Sequence, residues 1–97
     1  MERDDVILRL REAADRLRGA GISRLYLFGS TARGEAGPES DVDLFFDTED
    51  SRFSLIELVR AKDLVEEVLG AEADLMTRDS LHPALRDRIE AQSERVY

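Results

Sequence analysis

Two aspartates one residue apart, Asp41 and Asp43, stand in the run SDVDLFFD, some ten residues behind a glycine and a serine, Gly29 and Ser30. On a strand, side chains two apart point the same way with α-carbons roughly 6.5 to 7 Å apart, so both carboxylates can reach one centre. Like charges so placed repel each other and call for open water or a cation between them. A hard cation such as magnesium takes oxygen ligands, borrows one or two protein carboxylates and completes its octahedron with water and substrate phosphate. The pair therefore points to chemistry at a nucleotide phosphate.

A third carboxylate is expected from AEADLMT, where Asp74 lies between the apolar Ala73 and Leu75, with Glu72 competing on the same face. An acid inside an apolar strand is costly unless it is paired or metal-bound, which favours Asp74. Two divalent ions about 3.5 to 4 Å apart would balance three such acids and clamp an in-line displacement at phosphorus. Upstream, a strand that ends at Gly29 lets a phosphate approach closely, and the turn beginning at Ser30 can aim backbone N–H groups and a hydroxyl at its oxygens. Arg33, one turn further on, faces either a phosphate or solvent.

The elements that must position these groups follow from periodicity. Val6, Ile7, Leu10, Ala13, Ala14 and Leu17 recur at three and four residues, which predicts one amphipathic helix over Asp4 to Leu17, stopped by Gly19 and Gly21. Arg24 to Phe28 is apolar on both faces, as in a central strand. Ser30 to Ser40, with Gly34, Gly37 and Pro38, reads as a loop or short helix in which Glu39 and Ser40 shape a turn. Asp41 to Phe46 alternates, with Asp41, Asp43 and Phe45 on one face and Val42, Leu44 and Phe46 on the other. Asp47, Glu49 and Asp50 read as a solvated acidic loop.

Ser54 and Glu57 then form an S-x-x-E capping box, with Phe53 and Leu58 as its hydrophobic staple. The helix they open should carry Ile56, Val59, Leu64, Val65 and Val68 on its apolar stripe as far as Gly70. A third strand is expected over Ala71 to Thr77. A last helix begins near Pro83 with His82 at its start and Leu81, Leu85 and Ile89 on one side, and Val96 and Tyr97 pack back on the body.

A chain of 97 residues supports a single core, so one domain spanning residues 1 to 97 is expected, an α/β (α+β) fold with a short mixed sheet backed by helices. The net charge of −8 argues against broad nucleic-acid binding, which needs clustered basic residues to displace counterions. The absence of cysteine excludes disulfides, thiol catalysis and cysteine-based zinc sites within these residues. No apolar run nears the roughly 20 residues that span a bilayer, and MERDDVILRLRE carries acids where a signal peptide carries basic residues, so a cytoplasmic location is expected.

The spacing Gly29-Ser30, ten residues, Asp41-x-Asp43, the wider wording GSTARGE with SDVDLFF, the later ADLMT and the ending SLHPALRDRIEAQSERVY together resemble the nucleotidyltransferases related to DNA polymerase beta, in particular their minimal single-domain bacterial branch, the MNT proteins. The resemblance covers nearly the whole chain. It implies that Asp41 and Asp43 bind magnesium, that Asp74 completes the site and activates the attacking hydroxyl, and that Gly29 and Ser30 hold nucleotide phosphate. It also implies a biology: MNT proteins are commonly antitoxins that transfer AMP from ATP to a tyrosine of a HEPN-domain toxin. Two other readings stay open at this point, a non-catalytic antitoxin or regulatory module with an idle site, and a transferase acting on a small molecule such as an aminoglycoside.

Overall fold

The computed structural model describes residues 1–37 and 41–97, and the turn expected at Glu39 and Ser40 lies outside the described residues. The amphipathic N-terminal stretch folds as two helices, α1 (Arg3–Glu12) and α2 (Ala14–Gly19), where one was expected. At Ala13 the backbone N–H is shared between the carbonyls of Arg9 and Leu10, and at this tightened turn the two helices meet. Leu10 and Leu17, one from each, are both fully buried in the core.

Strand β1 (Arg24–Phe28) runs directly into a one-turn helix, α3 (Gly29–Ala32). Strand β2 (Val42–Asp47) lies antiparallel beside it, and helix α4 (Leu55–Leu69) carries the chain back to β3 (Ala73–Thr77), parallel to β2. A 3₁₀ turn (Arg78–Ser80) and helix α5 (Pro83–Gln92) then cross to β4 (Glu94–Arg95), which pairs antiparallel with β1. The order β3-β2-β1-β4 makes a four-stranded mixed sheet. Strand β4 was not expected from the sequence, since two residues are too few to show a period; its successors Val96 and Tyr97 do pack back, with Tyr97 Oη donating 2.9 Å to the Ile22 carbonyl.

The core fills one sheet face. Leu25, Leu27, Val42, Leu44, Phe46, Ala73 and Leu75 meet Val6, Leu10, Leu17, Ala61, Val65 and Leu69 from α1, α2 and α4. The stripe on α4 is rotated from the expected one: Ala61, Val65 and Leu69 are buried, while Ile56 and Val59 are 67% and 52% exposed. Its start is as read from the sequence, with Glu57 N–H donating to Ser54 Oγ at 3.2 Å, and with Phe53 and Leu58 both partly buried against the core. At α5, His82 caps the first turn by accepting from the Ala84 N–H at 3.1 Å, but none of the helix's residues is fully buried and Leu85 faces water.

The opposite face is thinner and carries the polar residues. Phe45 is fully buried there, stacked on Tyr26 with ring centroids 4.8 Å apart and tilted against Phe28 at 5.7 Å. Arg78 lies over the Tyr26 and Phe45 rings, and Asp47 holds it with two hydrogen bonds of 2.7 and 3.0 Å. Asp47 also takes Arg24 at 3.1 Å, and Arg78 reaches Glu90 of α5 at 3.3 Å. Asp47 is thus no loop residue: it ends β2, its side chain 17% exposed, and helps fasten α5 across the sheet.

Candidate active site

Strand register brings the acidic residues together. Asp43 is the cross-strand neighbour of Phe28 in β1 and of Asp74 in β3, so period-two alternation sets Asp43, Asp74 and Phe28 on one face. Asp41, immediately before the first residue of β2, extends the same face and is exposed. Asp74 lies on an edge strand and is exposed as well, whereas Asp43, on the strand between, is half-buried.

Gly29 lies against that half-buried carboxyl. Its φ of +74° lies in the region that favours glycine, and a Cβ there would run into Asp43 Oδ2 and stand 3.2 Å from Cγ. The glycine is needed twice over, for the reversal from strand to helix and for the space the carboxylate fills. The turn continues with the Arg33 N–H donating to the Gly29 carbonyl at 3.2 Å and the Glu35 N–H to the Ser30 carbonyl at 2.9 Å. Ser30 is half-buried, one residue from the carboxylate's resting place.

The electrostatics follow from this geometry. The pKa of Asp43 is raised above its ordinary value, first by burial, then by the charges of Asp74 and Asp41 and by a hydrogen bond with Asp74. Arg33 opposes the rise, so its guanidinium acts on the carboxylates even though it is exposed and bonded to Glu35 at 3.1 Å. Glu72 is not among the charges acting on Asp43. Of the two candidates on the later strand, the one in register with Asp43 is Asp74.

The donor set is all carboxylate oxygen, the chemistry that suits magnesium and not a softer metal. Among the described residues, no group of three His, Cys, Asp or Glu converges tightly enough to hold a metal ion as it stands. The raised pKa of Asp43 reflects its burial and its repulsion by the neighbouring carboxylates. A cation would offset that repulsion, so the residues fit magnesium in kind and in register.

Sequence reasoning missed two features. The brace of Asp47, Arg78 and Glu90 was not expected, although Asp47 shares the odd-numbered face of Asp41, Asp43 and Phe45 and could have been read as the strand's continuation. Thr31, behind the motif serine, is 2% exposed and its Oγ1 has no hydrogen-bond partner among the described residues. No pattern in the sequence announces a buried, unpaired hydroxyl.

Comparison with known proteins bears on what such a site does. A protein of Methanocaldococcus jannaschii assigned as a protein adenylyltransferase is 46% identical over 69 residues, 71% of this chain and 73% of that protein. A solved structure described as a minimal nucleotidyltransferase superposes with a TM-score of 0.83 at 31% identity, over 97% of this chain and 95% of the other. A toxin–antitoxin crystal structure with AMP-PNP superposes at 0.70 with 21% identity, over all of this chain and 73% of that one, a likeness of fold. The profile of the nucleotidyltransferase domain matches residues 7–97, from the first buried helix to the last residue. On the strength of that match and of its 46% identical relative, this chain belongs to the nucleotidyltransferase domain family.

Proposed function

We propose that this protein is a magnesium-dependent adenylyltransferase that moves AMP from ATP to a hydroxyl of a partner protein, a tyrosine of a HEPN-domain toxin, and so serves as the antitoxin of the pair. The observation that carries the reading is the register of Asp43 and Asp74, cross-strand neighbours on one sheet face, with Asp43 against Gly29. A binding module gains nothing from like charges held at the cost of a raised pKa. The family, the relative assigned as a protein adenylyltransferase and the toxin–antitoxin fold with AMP-PNP support the same reading.

Asp41, Asp43 and Asp74 would hold magnesium, two ions on this reading, which supplies Lewis acidity at the α-phosphate when bound. Gly29 and Ser30 would orient the triphosphate, the first through its backbone and the second through its hydroxyl. Arg33, already close enough to lower the proton affinity of Asp43, offsets charge on the departing pyrophosphate. Asp74, exposed on the edge strand, would take the proton of the acceptor hydroxyl. Among the described residues no helix is long and apolar enough to cross a membrane.

The test is transfer of label from α-labelled ATP to the co-expressed HEPN partner. Asp41→Ala and Asp43→Ala should abolish transfer while circular dichroism stays that of the native fold. Transfer at the wild-type rate in either variant would overturn the assigned roles, and label found only on a small molecule would overturn the acceptor.

A further inference from the structure

We infer that the outward face of α4 is a self-docking surface, through which two copies of this chain pair about a two-fold axis. Leu55, Ile56 and Val59 are 75%, 67% and 52% exposed, and they adjoin one another on the first two turns of the helix. Arg52 stands just ahead of the helix and Asp63 one turn beyond Val59, both exposed. Arg52, Ile56, Val59 and Asp63 recur at four, three and four residues, so they follow one stripe, turned away from the buried Ala61, Val65 and Leu69. An exposed apolar patch rimmed by charge marks a contact surface.

Charge says what covers it. The stripe is basic at its start, apolar in the middle and acidic at its end, an order that complements itself when a second copy lies antiparallel. Ile56 of one copy then meets Val59 of the other, and Arg52 faces Asp63, both pairs being symmetric about the same midpoint between Glu57 and Leu58. Every contact occurs twice, as a two-fold axis requires. Among the described residues, neither the Arg52 guanidinium nor the Asp63 carboxylate has an ion-pair partner within its own chain. Residues 52–63 carry Arg52, Arg60 and Lys62 against Glu57 and Asp63, whereas the whole chain has a net charge of −8. Two acidic molecules therefore repel each other less here than elsewhere on their surface.

Position and size agree. Helix α4 packs on the core side of the sheet, and Asp43 and Asp74 lie on the other side. A second copy on this stripe leaves both sets of carboxylates open, whereas an acceptor protein bound there would stand behind the sheet from them. A helix of 15 residues is about 22 Å long. A single pair of such helices buries less than roughly 1,200 Å² in total, the class of reversible associations, so Kd should be on the order of 100 μM. In an unfolding experiment at low micromolar concentration the chain is then monomeric and the stripe is bare. The pairing does not rest on the transfer reading.

Sedimentation velocity of the full chain from about 5 μM to about 1 mM, in EDTA and without ATP, tests it, and a concentration-dependent monomer–dimer equilibrium is expected. Val59→Glu, which sets like charges together near the axis, should stay monomeric throughout. Arg52→Asp and Asp63→Arg should each weaken the dimer about tenfold, since each reverses one member of two pairs. Arg52→Asp combined with Asp63→Arg rebuilds both pairs with the signs exchanged and should return to within about threefold of the wild type. All three positions are exposed, so circular dichroism should stay that of the native fold in every variant. A wild-type chain that is monomeric over the whole range, leaving the stripe to a different protein, would overturn the inference. So would a dimer that survives Val59→Glu, or a double variant that pairs no better than the single ones.

Discussion

Replacing Gly29 by alanine isolates the contact on which the site is built. At φ +74° an L-residue is disfavoured by about 1 to 2 kcal/mol. The new Cβ would also collide with Asp43 Oδ2, and pushing that side chain off its rotamer adds roughly 0.5 to 1.5 kcal/mol. Gly34 is an internal control, with φ +73° and nothing within 4 Å of its virtual Cβ, so Gly34→Ala carries the backbone cost alone. In a domain of this size about 1 kcal/mol moves Tm by roughly 4 to 8 °C, so Gly29→Ala should melt several degrees below Gly34→Ala. The assay is thermal and urea unfolding in EDTA of both variants, alone and combined with Asp43→Ala. Truncating Asp43 removes the obstacle, and the excess cost of Gly29→Ala should vanish, a coupling of about 0.5 to 1.5 kcal/mol. Equal destabilisation by the two glycine variants, or an excess that survives in the Asp43→Ala background, would refute the argument that Gly29 is required by the carboxylate beside it.

Three further outcomes can be measured on the metal-free protein. The pKa of Asp43 is higher in the folded than in the unfolded chain, so its ionisation destabilises the fold; the penalty is complete above the folded pKa and absent below the ordinary carboxylate range. Asp43→Asn should therefore raise Tm near pH 8 and lose this advantage as the pH falls through that window; a benefit independent of pH would contradict it. Asp47→Asn leaves the Arg78 guanidinium, 23% exposed, without its two-point acceptor, and should cost about 1 to 3 kcal/mol in urea unfolding, against little change if α5 is fastened by other contacts. On α4, Leu69→Ala should cost about 2 to 5 kcal/mol because the side chain is fully buried, whereas Ile56→Ala should stay within about 0.5 kcal/mol; similar losses at both positions would mean that the exposed stripe is covered in solution.

Much of this protein was decided locally and could be read before any fold was known. The period-two alternation of Val42 to Phe46 set Asp43 and Phe45 opposite the core side, because side-chain direction on a strand depends only on parity. The Ser54–Glu57 box started α4 where expected, and His82 capped α5, because capping is settled within one turn of chain. The spacing from Gly29-Ser30 to Asp43 set the first pair in the turn after β1 and Asp43 on β2 for the same reason, each position being settled by the local strand or turn.

What the tertiary structure alone decided are the relations between elements. Glu72 and Asp74 have the same parity, and only the pairing of β3 with β2 in parallel register put Asp74 beside Asp43. Of the α4 stripe drawn through Ile56, Val59, Leu64, Val65 and Val68, Val65 is buried and Leu64 and Val68 pack against the core, but the side of a helix that is buried depends on the angle at which it meets the sheet, and there Ala61 and Leu69 displaced Ile56 and Val59. Asp47 became part of a brace because Arg78 and Arg24 arrive from other parts of the chain, 31 and 23 residues away. The proton affinity of Asp43 belongs to this second class as well, since it arises from burial and from neighbours that no short stretch of sequence contains.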